Sequence, residues 1–208
     1  MALGRRRFLA SGGAAIGSVC AGCSMPSQTD NRKYMIGMDT GLELTDVSSH
    51  KEADVRFEAE LCHGTIETPP EIEFRLTNTG FPRQFFFGAK PPFTAVLSEE
   101  GTLTLIPEGD GTYVGPVDPD GPERPAEFIP DSPNEGCWRA LGTPLKVSIG
   151  KAIPLDRDET ISVRYTVLVS ADHDVACPPN GSHQVTSRFS IGTVQENVHE
   201  ATATLHVG

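Results

Sequence analysis

Apolar and polar residues alternate with a period of two along much of this chain. Val55, Phe57, Ala59 and Leu61 alternate with Asp54, Arg56, Glu58 and Glu60, and Ile72, Phe74 and Leu76 alternate with Glu71, Glu73, Arg75 and Thr77. Successive side chains of a strand point to opposite faces, so each segment predicts a strand with one buried and one wet face. The pattern returns at Val147/Ile149, at Ile161/Val163/Tyr165/Val167/Val169, at Val185/Phe189/Ile191 and at Ala201/Ala203/Leu205/Val207. After residue 22, no window of about 11 residues carries the i, i+3, i+4, i+7 apolar stripe of an amphipathic helix. Short strands separated by Gly, Pro and Asn turns predict an all-β domain over residues 41–208, an antiparallel immunoglobulin-like β-sandwich.

Two regions depart from the alternation. Gly109 to Gly136 holds six prolines and five glycines, and proline cannot donate to a sheet ladder. So long a loop inside a compact domain either covers a sheet edge or binds something. The second region is Phe85-Phe86-Phe87-Gly88-Ala89-Lys90-Pro91-Pro92-Phe93. Alternation sends Phe86 to the face opposite Phe85 and Phe87. Phe86, Phe93 and Trp138 are the candidate binding patch; the other reading buries these aromatics beneath the Gly109–Gly136 loop.

The N-terminus reads as an address. Met1 to Ser24 is MALGRRRFLASGGAAIGSVCAGCS, in which Arg5, Arg6, Phe8 and Leu9 match an R-R-x-F-L core. The weakly apolar run Phe8–Val19 has 12 residues, short of the roughly 18 to 20 that span a bilayer as a helix. The segment resembles a twin-arginine export signal, with Gly4 and Ala10 departing from the usual residues, and Cys20-Ala21-Gly22-Cys23 resembles a lipobox with Cys in place of Leu. That resemblance implies a signal peptide over 1–22, lipidation of Cys23 and anchoring to the membrane through lipid chains. A two-chain anchor at about 0.8 kcal/mol per buried methylene holds a protein stably where a single chain does not. Residues 23–40 begin with polar Ser, Pro, Gln and Asp and read as a flexible tether.

Charge narrows the setting. The whole chain has a net charge of -11, and setting aside the three leader arginines leaves -14; only five residues are lysine. A chain so acidic excludes nucleic acid as an expected partner, because phosphate binding needs a basic stripe. Together with the leader and the segments Leu76–Gly80, Phe85–Phe93, Glu135–Ala140 and Ala176–Gly181, this composition resembles haloarchaeal twin-arginine-exported surface lipoproteins of unknown function with an immunoglobulin-like domain. In molar salt the Debye length falls to about 3 Å, which screens the self-repulsion of such a surface.

Candidate chemistry is sparse. Once residues 1–22 and the lipidated Cys23 are set aside, Cys62, Cys137 and Cys177 remain. A hairpin turning at Asp156-Arg157-Asp158 brings position 137 opposite 177, which favours a Cys137–Cys177 disulfide; pairings of Cys62 with either stay open. Adjacent Cys62 and His63 point to opposite faces of a strand, which argues against a catalytic pair. Cys177 and His183, with Gln184 and His173 nearby, supply an alternative copper ligand set, although no methionine follows Met38. Asp118 to Glu123 resembles a calcium loop but lacks its full spacing. No G-x-S-x-G elbow surrounds a serine. Asn180-Gly181-Ser182 is an N-glycosylation acceptor sequence.

The expected protein is therefore not an enzyme and carries no cofactor. It is a membrane-anchored cell-surface binding or scaffolding module whose partner is another surface protein or polymer. A cupredoxin-like copper or redox carrier and an extracellular hydrolase-associated or inhibitor domain are the alternatives.

Overall fold

The computed structural model describes residues 34–37, 40–48, 54–62, 64–65, 67–94, 96–109, 114–116, 128–146, 150–172, 174–193 and 197–208. The leader, Cys23 and tether residues 23–33 lie outside them. The folded unit runs from Asn31 to Gly208, and its first strand already takes in residues assigned to the tether.

Among the described residues the strands are β1 (Tyr34–Gly37), β2 (Thr40–Ser48), β3 (Val55–Cys62), β4 (Glu71–Asn78), β5 (Arg83–Phe87), β6 (Leu103–Pro107), β7 (Val114–Pro116), β8 (Pro144–Lys146), β9 (Lys151–Leu155), β10 (Thr160–Val169), β11 (Gly181–Ile191) and β12 (Val198–Val207). Every strand pairing between them is antiparallel. One sheet has the order β1-β2-β12-β11-β5-β9, a second β3-β4-β10-β6, and β7-β8 form a small ribbon. The fold is all-β, with the two larger sheets contributing to one core in the manner of a β-sandwich.

Alternation places the core. Ile72, Phe74 and Leu76 of β4 are fully buried, as are Ala203, Leu205 and Val207 of β12, while the residues between them are only partly covered. Phe57, Phe74 and Phe93 stack, with Phe74 and Phe93 centroids 3.9 Å apart, and Tyr165 meets Phe74 edge-on. The Tyr165 hydroxyl donates to the Phe93 carbonyl. On the outer face of the four-stranded sheet, Arg75 bonds Glu60 at 3.0 Å and Glu73 at 2.8 Å.

The far end of that outer face is apolar, and a second cluster covers it. Ile106 of β6 and Leu168 of β10 pack with Val96, Phe128, Trp138 and Ala140. Part of the Pro/Gly-rich segment is thus structural: Val114–Pro116 pair with β8, and Phe128 is fully buried. Its residues 110–113 and 117–127, including the acidic Asp118–Glu123 run, lie outside the described residues.

This packing corrects the aromatic patch. Phe93 belongs to the central core and Trp138 to the second cluster, both buried because apolar sheet faces needed covering. Phe86 stays partly exposed on the opposite face of β5 from Phe85 and Phe87, as its register requires. The three do not share a surface.

The hairpin expected around Arg157 also does not form. β9 is an edge strand of the six-stranded sheet, while β10 lies inside the four-stranded one, so residues 156–159 cross between sheets. Asn78 fixes this crossing. Its amide nitrogen donates to the carbonyls of Phe81 (3.0 Å), Leu155 (3.0 Å) and Asp156 (3.2 Å). Its oxygen accepts from Gly80 N and Arg83 Nε. The side chain is fully buried, so these bonds replace water that cannot reach it.

Candidate functional site

The end of the fold where β10 finishes and β11 begins gathers Cys137, Trp138, Cys177, Asn180 and His183. Cys137 and Cys177 are joined by a disulfide with Cα atoms 6.0 Å apart. Cys137 is buried and Cys177 exposed. The bond follows from backbone pairing rather than from a β9–β10 hairpin. Val169 N donates to Trp138 O at 2.8 Å and Ala140 N to Val169 O at 2.9 Å. Residues 138–140 thereby lie parallel to the end of β10, which holds Cys137 beside the loop that carries Cys177. Cys62 is buried and stands outside any disulfide; its neighbour His63 lies outside the described residues.

Arg139 organises the same loop. Its guanidinium donates to the carbonyls of Ser170 (2.8 Å), Val175 (2.7 Å) and Asp172. A planar fork of donors suits several carbonyls turned toward one point, and three backbone acceptors are satisfied by one side chain. The Asp172 carboxylate accepts from Asp174 N at 3.0 Å and tightens the turn. Covalent and hydrogen-bonded ties thus fix the loop at both of its ends.

His183 sits at the adjoining start of β11, buried. Its Nε2 lies 2.9 Å from the Pro179 carbonyl and its Nδ1 2.7 Å from Thr102 Oγ1. A carbonyl can only accept, so Nε2 carries the proton, and in the neutral ring Nδ1 accepts from Thr102. Ser98 Oγ in turn accepts from the backbone nitrogens of Thr102 and Leu103 at 3.1 Å. The candidate copper ligands are therefore committed to the fold: the Cys177 sulfur is in a disulfide and both His183 nitrogens are hydrogen-bonded. Gln184 is exposed on the other face of the strand, and His173 lies outside the described residues. Among the described residues no three His, Cys, Asp or Glu side chains converge as a metal site.

Asn180 is exposed at the same end, between buried Pro179 and the first residue of β11. Among the described residues the large apolar side chains most open to solvent are Phe81 at 82 %, Leu141 at 60 % and Val198 at 54 %. Phe81 stands on the β4–β5 turn that Asn78 braces. Sequence reasoning singled out neither Asn78 nor Arg139 as an organising residue. Asn78 was visible only as the asparagine of Asn-Thr-Gly, a turn signal; Arg139 gave no signal, because its acceptors are backbone carbonyls more than 30 residues away.

The disulfide, Arg139 and His183 are thus engaged in holding the backbone of this end in place. No helix among the described residues is long and apolar enough to cross a membrane. No protein-family model, curated protein or solved structure matches this chain.

Proposed function

We propose that this chain is an exported lipoprotein of the haloarchaeal kind, with residues 1–22 a twin-arginine leader and Cys23 lipidated. Its immunoglobulin-like β-sandwich stands at the outer face of the cytoplasmic membrane as a non-catalytic binding or scaffolding module for another surface protein or polymer. The observation that carries the proposal is the disulfide of an all-β unit lying downstream of an R-R-x-F-L leader and a C-A-G-C box. Disulfides with an exposed sulfur persist in oxidising compartments and are rare in reducing ones. Support for a non-catalytic role comes from the polar groups themselves: Asn78, Arg139, Tyr165 and His183 each hold backbone in place.

Metabolic labelling with a lipid precursor tests the anchor. Label should enter the protein, and Cys23→Ser should abolish it and release the protein to the medium. Arg5→Lys with Arg6→Lys should retain an unlabelled precursor in the cytoplasm. Label that persists in Cys23→Ser but disappears in Cys20→Ser would move the anchor to the other cysteine, and export indifferent to the arginine pair would reject the leader assignment.

A further inference from the structure

We propose that Asn180 carries an N-linked glycan, added to the folded protein after export; this rests on the export reading above. The chain has five asparagines, and only Asn180 begins an Asn-x-Ser/Thr sequence, as Asn180-Gly181-Ser182. The fold treats it differently from Asn78, whose amide is buried and bonded on both sides. Asn180 is exposed, and its side-chain amide makes no hydrogen bond among the described residues.

Its surroundings suit an enzyme that must act on a native substrate. A twin-arginine leader implies passage in the folded state, so a transferase at the outer face would meet Asn180 as the structure presents it. The backbone before Asn180 is held by Cys177 and by the Pro179 carbonyl on His183, while Asn180 itself precedes β11, whose first residues Gly181 and Ser182 lie opposite Val207 and His206 at the end of the ladder. Gly181 has φ +119°, and a Cβ built there meets nothing within 4 Å. That conformation is open to glycine and strained for other residues, so the residue following Asn180 is best glycine, and the space at that position is open. The Ser182 side chain, which the transferase must also recognise, is exposed, 3.3 Å from His206 Nδ1.

The reaction joins Asn180 Nδ2 to C1 of the first sugar of a polyprenyl-phosphate-linked oligosaccharide. The N–C1 bond forms as the C1–O bond to phosphate breaks. The lipid phosphate leaves with the bonding electron pair, and a base of the oligosaccharyltransferase takes the amide proton. No oxidant or reductant is needed.

The full chain, produced in its own organism and purified from membranes, would be mapped by glycopeptide mass spectrometry, with fractionation of the same cells reporting location. A sugar-bearing peptide should contain Asn180. It should vanish in Asn180→Gln and Ser182→Ala, and survive in Ser182→Thr, which keeps the acceptor sequence and so separates recognition from misfolding. Exported protein with unmodified Asn180, with Asn180 merely deamidated, or with sugar only on Ser or Thr would overturn the assignment while leaving the export reading intact. Unmodified protein confined to the cytoplasm would overturn the export reading, and with it the modification that depends on export.

Discussion

Replacing Asn78 by aspartate keeps the oxygen that Gly80 and Arg83 use but turns a second oxygen toward the carbonyls of Phe81, Leu155 and Asp156. Buried acceptors facing acceptors cost about 1–3 kcal/mol for each group left unsatisfied, so Asn78→Asp should lower stability by about 3 kcal/mol or more. Urea denaturation should show a reduced midpoint with an unchanged slope. Tyr165 offers a test by pH. Burial raises its hydroxyl pKa above the usual tyrosine value, so the folded state keeps a proton that the unfolded state releases. Its contribution is intact below the unfolded pKa of about 10 and declines as pH rises beyond it. Stability measured from pH 9 upward should therefore fall, and Tyr165→Phe should flatten that fall while lowering stability at neutral pH through the lost bond to Phe93. An unchanged alkaline slope in Tyr165→Phe would assign the decline to other groups.

Legibility differed from element to element. β4 and β12 were readable because one face of each is wet, so the period of two survives in the sequence. β6 was not, since all five of its residues are buried and Leu-Thr-Leu-Ile-Pro shows no apolar–polar beat. β9 was hidden by Pro154, tolerated because the strand lies at a sheet edge. The Cys137–Cys177 pair is correct for a different reason from the hairpin that predicts it, since β9 and β10 belong to different sheets; equal spacing about residue 157 coincides with a parallel contact at Val169. Trp138 is covered partly by Phe128 of the Gly109–Gly136 segment, in line with the reading that buries it there, and partly by Val96, Ile106 and Leu168, which are distant in sequence. The disulfide closes a separation of 40 residues, for which unfolded-chain entropy gives about 4 kcal/mol. Cys137→Ser with Cys177→Ser should lower stability by about 2–4 kcal/mol, and limited proteolysis of that variant should begin within 170–180. Cleavage elsewhere first would show that Arg139 holds the loop without the bond.

At the scale of the whole molecule, charge decides the conditions in which the fold is stable. A domain with many more carboxylates than cations repels itself in dilute buffer, and the local pairs Arg75 makes with Glu60 and Glu73 offset only part of this. Screening weakens both contributions, but long-range repulsion among exposed groups is lost before close contacts are. The thermal midpoint followed by circular dichroism should therefore rise between about 0.1 M and 2 M potassium chloride, with a strand-rich spectrum throughout. A midpoint that falls with salt would mean that the ion pairs outweigh the net charge.

The position of β12 bears on how the chain can be made. It lies between β11 and β2, with Ser48 opposite Thr202 and Leu42 opposite Val207. On the ribosome β1 and β2 precede every other described strand, while β12, which joins them to the six-stranded sheet, follows them all. That sheet closes only once β12 has been made. The β2–β12 pairing joins the two ends of the described chain, and contacts so remote in sequence fold slowly, over milliseconds to seconds. For a β protein of this layout, closing the six-stranded sheet waits on β12, and a chain that stalls before residue 198 leaves β2 without the neighbour that stands opposite β1.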